Sequence, residues 1–164
     1  MLATRMREAA AGVSTGCTPT DSAYSNATLS AGNNGTHEAD FVMEFTATTL
    51  GSFPRLQFRR VDADNFYRIT YSATTVYIQK VVEGSSSNLF NEVVNPSNGD
   101  VMVIVCNDES ISAYVDGALL DTATGQSDFK TATVWYYERD NGGSQTDDLT
   151  TWPYPCGLDE VTIL

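Results

Sequence analysis

RLQFRRVDADNFYRITYSATTVYIQKVV, Arg55 to Val82, decides the fold. Its apolar and polar residues alternate, and turn residues interrupt the alternation at Asp62–Asn65 and again at Ala73-Thr74. Alternation with a period of two marks a strand with one buried face. The stretch therefore reads as a three-stranded antiparallel meander. With turns at those positions, Phe58 falls opposite Ile69 and Ile78, and Leu56 opposite Tyr71 and Val76. That face belongs to a core. The opposite face carries Gln57, Arg59, Arg68, Thr70, Tyr77 and Gln79. Two arginines across from each other repel unless an anionic or planar group lies beside them.

The flanking segments follow the same rule. HEADFVMEFTA (His37–Ala47) sets Phe41, Met43 and Phe45 on one side and Asp40 and Glu44 on the other. DVMVIVCN (Asp100–Asn107) is apolar on both sides, which suits an interior strand covered on both faces. SISAYV and ALLDTA flank Asp116-Gly117. An Asp-Gly pair between alternating runs is a tight hairpin, because both central residues must take positive φ. TATVWYYE (Thr131–Glu138) reads as another strand, NGGSQTDDLTTWPYP (Asn141–Pro155) as a long polar loop and GLDEVTIL (Gly157–Leu164) as a closing strand. Residues 1–17 read as a short arm or weak helix, and residues 18–164 as one domain. Many short strands separated by Gly, Asn and Ser turns imply an all-β protein built of two packed antiparallel sheets.

LQFRRVDADNFYRI, ISAYVDGALL and CGLDEVTIL occur in that order. They resemble the "FR…D.DNYYR", "v.vYvDG..v" and "G.iDEv.i" segments of laminin-G-like domains in the concanavalin A-like lectin and glucanase superfamily. The resemblance spans about Thr36 to Leu164 and implies a jelly-roll sandwich. This fold hosts lectins, carbohydrate-binding modules, glycosidases, adhesion domains and virion proteins, so it does not fix a function. The resemblance also implies a structural calcium near the first and last strands. Asp159, Asp40 and Asp21 are the candidate ligands, with Glu38 a further carboxylate nearby. The alternative is that no cofactor is bound.

The chain of 164 residues is 41% apolar and carries a net charge of -12. A field of that sign repels phosphate backbones, so nucleic acid is not an expected partner. No apolar run approaches the roughly 20 residues that span a bilayer, and the N-terminal stretch lacks the apolar segment of a secretion signal. Of the three cysteines, Cys106 lies in an apolar strand and reads as a buried thiol. Cys17 and Cys156 precede the first and last strands. If those strands are neighbours the two form a disulfide; otherwise both remain thiols.

Little in the sequence supports catalysis. A retaining glycosidase needs two carboxylates about 5–5.5 Å apart, and no Glu-x-Asp-x-x-Glu run occurs. The single histidine, His37, reads as a surface residue with no nucleophile to serve. Glycan binding needs aromatic platforms and planar hydrogen-bonding groups. Arg59, Arg68, Tyr77 and Gln79 supply them on the meander, and Trp152 and Tyr154 on the long loop.

The reading is a non-catalytic surface-binding or structural module. A virion or extracellular setting fits the composition, in a capsid-decoration, fibre or tail protein. Its partner would then be a glycan, capsid or tail proteins, or a second copy of the chain. The alternative is a carbohydrate-binding module of a secreted protein, and a more distant one is a glycosidase-like enzyme.

Overall fold

The computed structural model describes residues 18–50, 53–138, 145–154 and 156. Their strands are β1 (Asp21–Thr28), β2 (Asn34–Thr36), β3 (Phe41–Thr49), β4 (Arg55–Phe58), β5 (Phe66–Tyr71) and β6 (Thr75–Val82). Then come β7 (Ser85–Val93), β8 (Asp100–Asn107), β9 (Ser110–Val115), β10 (Ala118–Ala123), β11 (Val134–Glu138) and β12 (Gln145–Pro153). Among the described residues there is no helix, so none there crosses a membrane. The strands form two six-stranded sheets, ordered β1-β12-β3-β8-β9-β10 and β2-β11-β4-β5-β6-β7. Consecutive elements alternate between the sheets at both ends of the chain, while β4 to β7 form a continuous meander in the second sheet.

Period-two patterning explains the layer contact. Phe41, Met43 and Phe45 of β3 and Met102, Ile104 and Cys106 of β8 point inward from the first sheet. They meet Leu56, Phe58, Ile69, Tyr71, Val76 and Ile78 of the meander and Trp135 and Tyr137 of β11. Each fully buried large apolar side chain stabilises the sandwich by roughly 1.5–3 kcal/mol before entropy is counted. β8 lies between β3 and β9, and both of its faces are covered, as its unbroken apolar run requires. Asp116 and Gly117 have φ of 48° and 80°, the tight-hairpin conformation, and Ala118 pairs with Val115.

The meander has the expected register between β5 and β6, where Ile69 faces Ile78 and Tyr71 faces Val76. Between β4 and β5 it lies two residues away from expectation: Leu56 faces Ile69 and Phe58 faces Tyr67. A two-residue shift keeps every side chain on its face, so the expected core is unchanged.

One element differs in kind. The expected polar loop holds β12, which pairs with β3 on one side and β1 on the other. Its threonines mask it as a loop, yet threonine is β-branched and favours strands. Thr146, Leu149 and Thr151 are buried, and the Thr146 hydroxyl lies 2.6 Å from the Tyr71 hydroxyl. The expected closing strand and the N-terminal arm lie outside the described residues.

Cys106 is a free, buried thiol, with burial raising its pKa to about 12. Cys156 is disulfide-bonded. Cys17, the other member of the expected pair, lies outside the described residues.

His37 is buried rather than on the surface. Its ring stacks on Phe41 at 3.9 Å between centroids. Nδ1 lies 2.6 Å from the Glu38 carbonyl, to which it donates, and Nε2 accepts the Arg59 backbone N–H at 3.0 Å. That pattern defines a neutral imidazole protonated on Nδ1. Burial is the main force lowering its pKa to about 4; the Glu38 carbonyl opposes the shift and the Arg59 charge adds to it.

Candidate functional site

The outer face of the second sheet gathers the polar residues of the meander. Across the strands, Glu138, Arg55, Thr70, Tyr77 and Asn91 form one row. Asn34, Tyr136, Gln57, Arg68, Gln79 and Asn88 form the next. Each row is a consequence of alternation: between these residues, Leu56, Ile69, Ile78, Phe90 and Tyr137 point into the core.

Two hydrogen-bonded chains order the face. In the first, Arg60 Nε donates to Gln57 Oε1 at 2.8 Å, and Gln57 Nε2 to Glu138 Oε2 at 3.2 Å. Arg55 Nη1 reaches the other oxygen of Glu138 at 3.0 Å. In the second, Arg68 Nε donates to Gln79 Oε1 at 2.7 Å, and Gln79 Nε2 to Asn88 Oδ1 at 2.7 Å. These bonds hold long side chains in one geometry before any ligand arrives, which lowers the entropy lost on binding. The Arg60 guanidinium also lies 4.8 Å from the Tyr136 ring centroid, a cation–π contact. At the other end Phe53, which is exposed, packs at 6.1 Å from Tyr77.

Of the residues expected at a ligand site, Arg68, Tyr77 and Gln79 are together on this face, each partly exposed. Arg59 is not. Strand β4 ends at Phe58, and Arg59 takes φ of 45°, which breaks the alternation and turns its side chain inward. It is 0% exposed and donates through Nε and Nη2 to the Ala39 carbonyl, with Nη2 also 3.4 Å from Asp40 Oδ1. Its neighbour Arg60 occupies the outer face in its place. Trp152 belongs to β12 of the other sheet, and Tyr154 lies just past the end of that strand. Trp152 is 7% exposed, in a cluster with Val42, Val101, Val103 and Val105, and Tyr154 packs against it.

Sequence reading missed Arg55, Arg60, Tyr136, Glu138 and Asn88 as site residues. Alternation within TATVWYYE could have found Tyr136, since Trp135 and Tyr137 point inward and the residue between them must point outward.

Two of the proposed calcium ligands, Asp21 and Asp40, have other partners. Asp21 Oδ2 accepts the Trp135 indole N–H at 3.1 Å and the Thr36 N–H at 3.2 Å, while Oδ1 accepts the Ala23 N–H at 3.0 Å. A Cβ on Gly35 would collide with the Asp21 carboxylate and come within 2.6 Å of the indole nitrogen, so glycine permits this contact. Asp40 Oδ1 accepts the Asp108 N–H at 2.7 Å. Asp159 lies outside the described residues. Among the described residues, no three acidic, histidine or cysteine side chains cluster as a metal site would require.

The two sheets, their strand order and the meander define a concanavalin A-like jelly roll with a polar outer face. Solved structures share this fold. Sheep galectin-11 superimposes with a TM-score of 0.59 at 12% identity, covering 75% of this chain and 98% of its own. The carbohydrate-binding module CBM66 of Bacillus subtilis gives 0.51 at 18% identity, over 84% of this chain and 91% of its own. A β-fructofuranosidase of Aspergillus kawachii gives 0.58 at 11% identity, over 90% of this chain but 28% of its own. No protein-family model matches the chain, and no curated protein sequence does. At such identities the likeness concerns the fold alone, and in the β-fructofuranosidase it concerns just over a quarter of that chain.

Proposed function

We propose that this protein is a non-catalytic carbohydrate-binding module whose glycan lies on the outer face of the second sheet. The observation that carries the proposal is the pre-ordered row of Arg68, Gln79 and Asn88 beside Tyr77 and Phe53. Planar donors and acceptors match the hydroxyls of a sugar ring, and the aromatic pair offers an apolar surface to its C–H face. The CBM66 likeness agrees with a binding role. Among the described residues, a hydrolytic reading finds no second carboxylate in the outward rows of this face. Among the described residues, the strand registers place only Glu138 on this face, and Arg55 and Gln57 already engage it. Retaining hydrolysis would require a partner about 5–5.5 Å away. The virion setting expected from composition rests on the sequence alone, and the binding proposal does not depend on it.

A glycan array followed by calorimetry tests the proposal. Arg68→Ala and Tyr77→Ala are each expected to weaken binding of the selected glycan about tenfold or more, the loss of roughly one good polar or stacking contact. Both side chains are partly exposed, so the melting temperature should stay near that of the parent. Undiminished affinity in both variants would refute the site.

A further inference from the structure

The face is electrically opposite to the rest of the molecule. The chain has a net charge of -12. Yet among the described residues this face gathers Arg55, Arg60 and Arg68, with Glu138 the one carboxylate in its outward rows and Asp62 near Arg60. Among the described residues, Arg55 alone of the three is ion-paired: its Nη1 lies 3.0 Å from Glu138. Arg68 spends its Nε on a neutral amide, Gln79, and Arg60 spends its Nε on another, Gln57. Neither arginine forms an ion pair among the described residues. Each therefore keeps its terminal Nη donors for something else.

Arg68 and Arg55 also sit in adjacent rows of the same face, Arg68 beside Gln57 and Arg55 beside Thr70. Like charges at that spacing repel. The partial burial of Arg68 and the nearby Arg55 charge both lower the Arg68 pKa, and the Glu138 carboxylate opposes them. An anion set against the two guanidinium groups would relieve that repulsion and form charge-assisted hydrogen bonds, the stronger kind. The remaining surface argues against a long polyanion. A chain of many charges would extend beyond the face into the acidic surroundings and be repelled there.

Resting on the glycan-binding proposal above, we infer that the face selects short acidic glycans, with a carboxylate or sulfate held by Arg68 and flanked by Arg55 and Arg60. The neutral hydroxyls then bond to Gln79 and Asn88, and a ring packs near Tyr77 and Phe53. Selection comes from the charge: Glu138 is already engaged by Arg55, so the anion supplies the partner that Arg68 and Arg60 lack among the described residues.

The test is an array carrying neutral oligosaccharides beside their sialylated, uronic-acid and sulfated counterparts, followed by calorimetry on the best pair. The acidic member should bind about tenfold more tightly than its neutral parent, the factor that one charge-assisted bond supplies. In the double variant Arg60→Gln with Arg68→Gln, the acidic member should lose about tenfold more affinity than the neutral parent loses, so that the preference vanishes. The carboxylate and sulfate arms show which anion fits. Equal or tighter binding of the neutral parent by the unmodified protein would overturn the charge selection and leave the glycan site standing. Failure to bind any member would overturn both.

Discussion

Arg59→Ala is expected to lower the free energy of unfolding by about 3–5 kcal/mol, the range for emptying a large buried site and stranding a polar partner. Arg59 is fully buried, and its guanidinium supplies two N–H donors to the Ala39 carbonyl. Its removal leaves that carbonyl without these donors and opens a void between β4 and the segment leading into β3. Asp40 suffers less, because its side chain is 46% exposed and water can replace the lost contact. The packing and charge contributions can therefore be separated. Arg59→Met keeps the aliphatic stem and discards the charge, so it should recover about half of the loss. Urea denaturation of the three proteins measures this. A loss under about 1 kcal/mol for alanine would mean that the guanidinium is not buried as described.

Acid is expected to destabilise the fold well before carboxylates protonate. His37 has a folded-state pKa of about 4 against 6.5 in the unfolded chain. Between those values the unfolded chain takes up a proton that the folded one refuses. The stability from this group is thus complete above pH 6.5 and declines as pH falls toward 4. The difference amounts to about 3 kcal/mol. Burial is the main reason, and geometry agrees with it: a proton on Nε2 would meet the Arg59 N–H, which now donates to that atom at 3.0 Å.

Other groups do not mimic this behaviour. Asp62 is held low chiefly by the Asp64 N–H, and Asp108 by its hydrogen bond with Lys130, so both lose their contributions only below their unfolded value of 3.8. Asp116, raised by burial, has the opposite sign: its folded state gains a proton first. In His37→Gln the amide can still accept the Arg59 N–H. That variant should be less stable at pH 7 but show a flattened profile from pH 6.5 to 4. A parent protein equally stable at both ends of that window would contradict the buried neutral imidazole.

How far the sequence revealed this molecule depended on whether alternation continued. In the meander it did, and the core face from Leu56 to Ile78 was legible residue by residue. The register error between β4 and β5 arose because the connection consumes Arg59 to Asn65 rather than four turn residues. Alternation counts faces, not turn lengths. Arg59 was misplaced for a related reason: a single positive φ at a strand end reverses the next side chain, and no sequence rule marks an arginine for that conformation. Strand β12 was hidden by its composition, since Thr146, Thr150 and Thr151 are polar by type yet buried between neighbouring strands or layers. Trp152 and Tyr154 were grouped with the arginines because both sets suit glycans. Nothing in the sequence told which sheet β12 would join, and it joined the other one.

The most direct test is a backbone amide shift map of ¹⁵N-labelled protein, titrated with the glycan that the array selects. The largest changes are expected on Arg68, Thr70, Tyr77, Gln79 and Asn88, with Val42, Val103 and Trp152 on the opposite sheet unmoved. Changes centred on Val42, Val103 and Trp152, with the meander silent, would contradict the proposed site.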